Sequence, residues 1–134
     1  MALEPSGNLP IQSQEDVVKS RQLVRTLTQQ LHFSLVEQTK MITAASELSR
    51  NTLVHGGGGE LRWELLDRGE RQGLRLHFED HGPGIPDVKL ALTDGWTTAK
   101  GMGLGLPGSK RLVNEFEIHS SPETGTVVSI TKWK

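Results

Sequence analysis

Eleven of the fifteen glycines of this chain lie in two clusters: four run together at Gly56–Gly59, and seven fall between Gly82 and Gly108. Scattered glycine loosens a chain, whereas dense clusters set between periodic segments indicate backbone shaped around a ligand. The length of 134 residues suits one ordinary domain and is too short for two independent cores. The absence of cysteine excludes disulfides, thiolate zinc sites, iron–sulfur clusters and a cysteine nucleophile. Fifteen Lys/Arg against sixteen Asp/Glu leave a net charge of −1, without the basic footprint that nucleic-acid binding needs. The longest apolar run is only a few residues, so no membrane-spanning helix is expected. No secretory apolar segment stands near Met1, and the expected compartment is the cytoplasm.

Hydrophobic spacing divides the chain into segments. Residues 1–14 carry Pro and Gly without periodicity and read as a loose arm with room for a short edge strand. From Glu15 to Leu31, the residues Val17, Val24, Leu27 and Leu31 recur at helical spacing, with Ser13 or Gln14 as cap. A second helix is predicted from Ser34 to His55, with Ile42, Ala45, Leu48 and Thr52 as its buried stripe and the glycine run as its stop. Leu61, Trp63 and Leu65 alternate with polar residues, as do Leu74, Leu76 and Phe78. These predict two strands joined by a turn over Asp67–Gly73. Asp80–Pro86 cannot continue the strand. A short helix follows over Asp87–Leu92, then a polar, glycine-punctuated stretch to Gly103, then a helix from Leu104 to Glu115. Phe116–Ser120 and Thr126–Trp133 close the chain as a strand pair. Hairpin strands with helices set apart imply an α+β fold, a mixed sheet covered by helices on one face.

Three constellations stand out on this frame. Glu47, Asn51 and His55 are spaced i, i+4, i+8 and share one helix face. A carboxylate and an amide one turn apart suit a hard cation and a base, although the same spacing also describes a solvated polar face. Asp80-His-Gly82-Pro-Gly84 sets a carboxylate at a strand end, able to accept from an exocyclic amine, followed by glycines that admit a planar base. By itself it is equally a strand-to-helix turn with an Asp cap. Gly101-Met-Gly103-Leu-Gly105 precedes a helix, where successive backbone N–H groups form an anion site.

Gly103–Gly108 matches the letter of the dinucleotide fingerprint G-x-G-x-x-G. That reading fails, because no buried strand precedes it and too little chain follows for a parallel βαβ unit. A phosphate-binding Walker loop fails on spacing. His77 and His81 are four apart on a strand, about 13 Å, too far to share a metal. Trp63, Trp96 and Trp133 read as packing residues, and Arg68, Glu70 and Arg71 as a solvated turn.

The three constellations, in this order, resemble the GHKL (Bergerat-fold) ATP-binding superfamily of type II topoisomerases, heat-shock chaperones, histidine kinases and mismatch-repair ATPases. Glu47…Asn51 resembles its N box, Asp80-x-Gly82-x-Gly84 its first glycine box and Gly101-x-Gly103-x-Gly105 its second. Gly125-Thr126 resembles the last nucleotide-contacting element. Within the superfamily the chain is most similar to the serine/threonine switch kinases of the RsbT type, through Glu47–Asn51, Glu79–Pro86, Gly103–Phe116 and Lys132-Trp133. The glycine run at 56–59 departs from that pattern.

The resemblance implies a Bergerat-type α/β sandwich forming a single ATP-binding kinase domain over residues 1–134. It also implies ATP and Mg²⁺ as cofactors. Asp80 would accept the adenine amine, with Thr126 in support, and Gly82 and Gly84 would let the base approach the backbone. Gly101, Gly103 and Gly105 would hold the phosphates, Asn51 would ligate Mg²⁺, and Glu47 would orient or deprotonate the attacking hydroxyl. Lys100 or Lys110 would add charge at the γ-phosphate. The implied partners are a STAS-domain antagonist that is phosphorylated and a metal-dependent serine phosphatase activated on release, with no nucleic acid or membrane. Two alternatives share the motifs: an anti-sigma factor kinase that sequesters a sigma factor, and an ATP-binding module without turnover.

Overall fold

The computed structural model describes residues 4–85 and 105–134. Within them the chain runs β1 (Ser6–Ile11), α1 (Gln14–Gln30), α2 (Leu35–Val54), β2 (Gly59–Arg68) and β3 (Arg71–Asp80). It continues as α3 (Gly105–Arg111), β4 (Glu115–Ser121) and β5 (Gly125–Trp133). The two long helices start where small hydroxyl side chains can cap them. Ser13 Oγ accepts from Asp16 N and Ser34 Oγ accepts from Glu37 N, each satisfying an amide that has no partner inside the helix.

The five strands form one sheet in the order β1-β2-β3-β5-β4. The expectation of a mixed sheet is corrected: every described pairing is antiparallel. The reason lies in the connection after β3. β4 runs parallel to β3 but not beside it, because the β4–β5 hairpin folds back and inserts β5 between them. The α+β sandwich itself is as expected.

Alternation along the strands builds the core. Leu61, Phe78 and Val128 form one cross-strand row and Trp63, Leu76 and Ile130 the next. Val17, Val24 and Leu27 of α1 and Met41, Ala44, Ala45 and Leu48 of α2 are buried in the same cluster. Where the two helices meet, Ser20 and Ser49 are fully buried and their hydroxyls lie 2.7 Å apart, so the polar atoms inside the interface satisfy each other.

The short edge strand for which the arm at residues 1–14 leaves room is Ser6–Ile11, with Ile11 fully buried. Local features differ from the reading at two places. Gly73 is not a turn residue but sits within β3, where a Cβ would lie 2.7 Å from the Trp133 ring; the hairpin turn is the shorter Gly69-Glu70. The helix expected to reach Glu115 stops at Arg111. There β5 captures the chain: Asn114 N donates to Thr131 O at 2.9 Å and Trp133 N donates to Asn114 Oδ1 at 2.7 Å. The short helix expected at Asp87–Leu92 and the stretch to Gly103 lie outside the described residues.

A buried cation ties the C-terminal strand to α2 and to the chain just past α3. Lys132 is 4% exposed, and its Nζ donates to Leu112 O just past α3 and to Glu37 Oε2 on α2 at 3.0 and 2.6 Å. The hydrogen bond from Lys132, aided by the charges of Lys132 and Lys40, holds the Glu37 carboxyl below its ordinary value of 4.5, against an opposing effect of burial. A lowered folded-state value means stability that is present above about pH 4.5 and lost as pH falls through the folded value. Glu37→Gln is therefore expected to destabilise the protein by about 1–2 kcal/mol at neutral pH. In urea titrations at stepped pH, the difference between the two proteins should close in acid. A difference that stays constant from neutral pH to pH 3 would show that the ion pair contributes nothing.

Candidate functional site

The inward positions of β3 read Leu74, Leu76, Phe78 and then Asp80, so the alternation that buries three apolar side chains carries a carboxylate to the same side at the strand end. Asp80 is 8% exposed. A carboxylate taken out of water needs charge or hydrogen bonds in return. Here backbone supplies them, because Gly82 N and Thr126 N both donate to Oδ1, at 2.9 and 3.2 Å. Oδ2 takes part in no hydrogen bond among the described residues. The carboxylate is thus anchored through one oxygen and offers the other.

Gly56 and Gly59, the two ends of the glycine run, form the wall beside it. A Cβ on Gly56 would stand 2.3 Å from Asp80 Cγ and 2.5 Å from Oδ2, and one on Gly82 would meet Gly56 O at 2.8 Å. Gly59 is the cross-strand partner of Asp80. Backbone therefore approaches the carboxylate where any side chain would displace it. This role is not legible in the sequence, where the run reads only as a helix stop. Gly84 has φ +78° and packs on Ser121 O at the end of β4, fixing the loop that leaves Asp80.

The third group lies on α2, the helix that ends at this wall. Glu47 Oε1 accepts from Arg50 Nη1 at 2.8 Å, while Glu47 Oε2 and Asn51 Nδ2 are buried with no hydrogen-bond partner among the described residues. Two such unpartnered atoms one helical turn apart are unusual in a folded interior. His55, the third member of the spacing, is the exposed C-cap of α2 and does not join them.

Comparison with known proteins fits this arrangement. The family described as Histidine kinase-, DNA gyrase B-, and HSP90-like ATPase matches residues 36–134. The chain is 43% identical over 124 residues to the Serine/threonine-protein kinase RsbT of Bacillus subtilis (strain 168), covering 92% of each. It is 30% identical to the Anti-sigma F factor of Bacillus licheniformis, over 84% of this chain and 81% of that protein. The Anti-sigma F factor of Clostridium novyi (strain NT) is 27% identical over 84% and 82%. This chain belongs to the histidine kinase-, gyrase B- and HSP90-like ATPase family. It is a protein-serine/threonine kinase of that family, and ATP is its nucleotide.

The other residues that the motifs single out are described only in part. Gly105 opens α3, while Gly101, Gly103, Lys100 and Trp96 lie outside the described residues. Lys110 is exposed in the last turn of α3, at the end of the helix opposite Gly105. Ser120, which no motif contains, lies beside the site: its Oγ accepts from Ile85 N at 2.7 Å and lies 2.8 Å from Thr126 Oγ1. A lone serine in a polar strand carries no signal that spacing could expose.

The uncovered face of the sheet holds two decoys. Ser129 Oγ, the His77 ring and Glu64 Oε1 line up at 2.7 and 2.6 Å in the manner of a nucleophile–base–acid set. They sit within paired strands whose amides serve the ladder, leaving none to stabilise an oxyanion. An open cleft of about 750 Å³ is lined by Glu79, His81, His119 and Thr124. Its histidines stand 3.8 Å from their nearest carboxylates, and no three metal-ligating groups converge among the described residues.

Gly56→Ala tests the wall. The added methyl must push the Asp80 carboxylate off its two amides, so ATP affinity measured by calorimetry is expected to fall about tenfold while unfolding stays cooperative. Unchanged affinity would show that the backbone at 56 yields and that the close approach has no bearing on the nucleotide.

Proposed function

We propose that this kinase transfers the γ-phosphoryl of ATP to a serine or threonine of a STAS-domain antagonist. Released from that partner, it engages a metal-dependent serine phosphatase in a partner-switching cascade. The observation that carries the reading is the pair of orphaned atoms, Glu47 Oε2 and Asn51 Nδ2, on the helix that ends at the Asp80 wall. The likeness to RsbT over 92% of both chains supports the choice of partner class.

Each residue has a role that follows from its chemistry. Asp80 Oδ2 is a pure acceptor and takes a hydrogen of the adenine amine, while Thr126 offers a hydroxyl beside it. Gly82 and Gly84 keep side chains away from the base. Gly101, Gly103 and Gly105 hold the phosphates through backbone N–H groups. Asn51 presents a neutral carboxamide, and its oxygen is the donor that would hold Mg²⁺; few protein ligands with phosphates and water completing the shell is the usual manner of that ion. Held by Asn51, such an ion would supply charge neutralisation at the phosphates during transfer.

Glu47 has one oxygen fixed by Arg50, which orients the other. The free oxygen accepts the proton of the attacking hydroxyl as its oxygen bonds to the γ-phosphorus and the bond to the β-phosphate breaks, leaving ADP. Little covalent work falls to the protein beyond this, since phosphoryl transfer is chiefly positioning and charge stabilisation.

The test is transfer of label from γ-labelled Mg-ATP to a STAS-domain partner. Glu47→Ala should lower the labelling rate about a hundredfold or more and leave ATP affinity within about threefold. Labelling at the normal rate would remove Glu47 from the mechanism. The similarity to anti-sigma F factors favours a second reading, in which the chain chiefly sequesters a sigma factor. Co-purification from the native cell separates the two: a STAS protein or phosphatase supports the first, and a sigma subunit in their place the second.

A further inference from the structure

We propose that Ser120 is a positioning residue for nucleobase recognition: its hydroxyl donates to Thr126 Oγ1 and so holds the Thr126 hydrogen toward the ring nitrogen beside the adenine amine. This rests on the reading of Asp80 as the adenine acceptor and adds a residue to it.

Hydrogen counting decides which groups are free. Ser120 and Thr126 are cross-strand partners on β4 and β5, and their hydroxyl oxygens are 2.8 Å apart, so one donates to the other. Ile85 N can only donate, and at 2.7 Å it occupies one lone pair of Ser120 Oγ. The backbone of Thr126 is committed as well, its N–H donating to Asp80 Oδ1. Neither hydroxyl has another partner among the described residues. One orientation is therefore open to choice, and the two choices present different faces to a ligand.

If Thr126 donated to Ser120, the site would show two acceptors side by side, Asp80 Oδ2 and Thr126 Oγ1. The acceptor nitrogen of an adenine ring would then meet lone pairs. If Ser120 donates to Thr126, the site shows an acceptor next to a donor. That is the complement of the amine and ring nitrogen of adenine. Guanine presents the reverse order, a carbonyl and a ring N–H, and is opposed at both positions. Thr126 is 7% exposed, so water is a poor substitute for a missing partner. A lone hydroxyl would rotate to suit either base, whereas a donating Ser120 occupies a lone pair of Thr126 Oγ1 and turns the Thr126 hydrogen toward the site. Sites that hydrogen-bond a ligand group reject analogues lacking it far better than apolar pockets do.

Ser120 also holds the loop after Asp80 through Ile85, so loss of affinity alone would not separate positioning from support. The discriminating probe is 1-deaza-ATP, which keeps the amine and replaces the ring nitrogen by C–H. The full chain should bind ATP about tenfold more tightly than 1-deaza-ATP. Ser120→Ala should weaken ATP about tenfold, leave 1-deaza-ATP within about twofold, and Ser120→Thr, which keeps the hydroxyl, should restore ATP binding. Equal losses for the two nucleotides in Ser120→Ala would overturn the proposal and leave Ser120 a loop support. Should Ser120→Ala not fold, equal binding of ATP and 1-deaza-ATP by the unmodified chain overturns it without any variant. Binding of neither nucleotide by the unmodified chain would instead sink the adenine reading of Asp80.

Discussion

Two backbone N–H groups converge on one oxygen of a buried carboxylate, and most of the molecule serves to bring them there. Asp80 lies on the core side of β3, where an unpaired charge would cost several kcal/mol. Its partners come from different parts of the chain: Gly82 from the loop that leaves the strand, Thr126 from a strand more than forty residues on. The second can arrive only because β5 inserts next to β3, displacing β4 to the edge. The sheet order and the state of one carboxylate are thus a single constraint. A register slip of β5 against β3 by one residue would turn Val128 and Ile130 outward and take the Thr126 amide from Asp80 together.

The same economy links the wall to the helix. α2 ends at His55, the glycines follow without interruption, and β2 begins at Gly59 opposite Asp80. The chain that turns from helix to sheet is therefore the chain that flanks the carboxylate. Its bareness has a geometric cause, since Gly56 and Gly82 touch each other and Asp80 within distances that leave no room for a methyl group. At its other end α2 is tied to β5 by Glu37 and Lys132. The helix bearing Glu47 and Asn51 is fixed to the sheet at both ends, which is what a site needing orientation within a fraction of an ångström requires.

Much of this is legible in the residues themselves. The 3.6 spacing of Val17, Val24 and Leu27 and the alternation of Leu61, Trp63 and Leu65 are local signals, and they locate α1 and β2 to within a residue or two. Asp80, Gly82, Thr126, Glu47 and Asn51 can be named because each falls in a motif with a chemical rationale. What cannot be read is what depends on distant partners. The end of α3 is decided by Asn114 meeting Thr131 and Trp133. Gly73 looks like a turn until the Trp133 ring is seen to lie over it. Gly56 reads as a helix stop until Asp80 appears beside it, and Ser120 is an ordinary serine until Thr126 and Ile85 close on it. Each is a contact across more than five residues of sequence, invisible to periodicity.

The places where local satisfaction fails are as informative as those where it succeeds. Ser20 meets Ser49, Thr28 and Thr52 bond back to their own helices, and Lys132 finds two acceptors. Against that thoroughness, Glu47 Oε2 and Asn51 Nδ2 stand out as buried and unpaired among the described residues. Each leaves about 1–3 kcal/mol of desolvation uncompensated in the protein alone. A fold selected only for stability would replace both with apolar residues, as it does at Leu48 between them in sequence. Their retention on α2, one turn apart, is what the proposal that a bound group completes them accounts for. Among the described residues, polar satisfaction is complete around Asp80 Oδ1 and stops short at Asp80 Oδ2 and at these two α2 side chains.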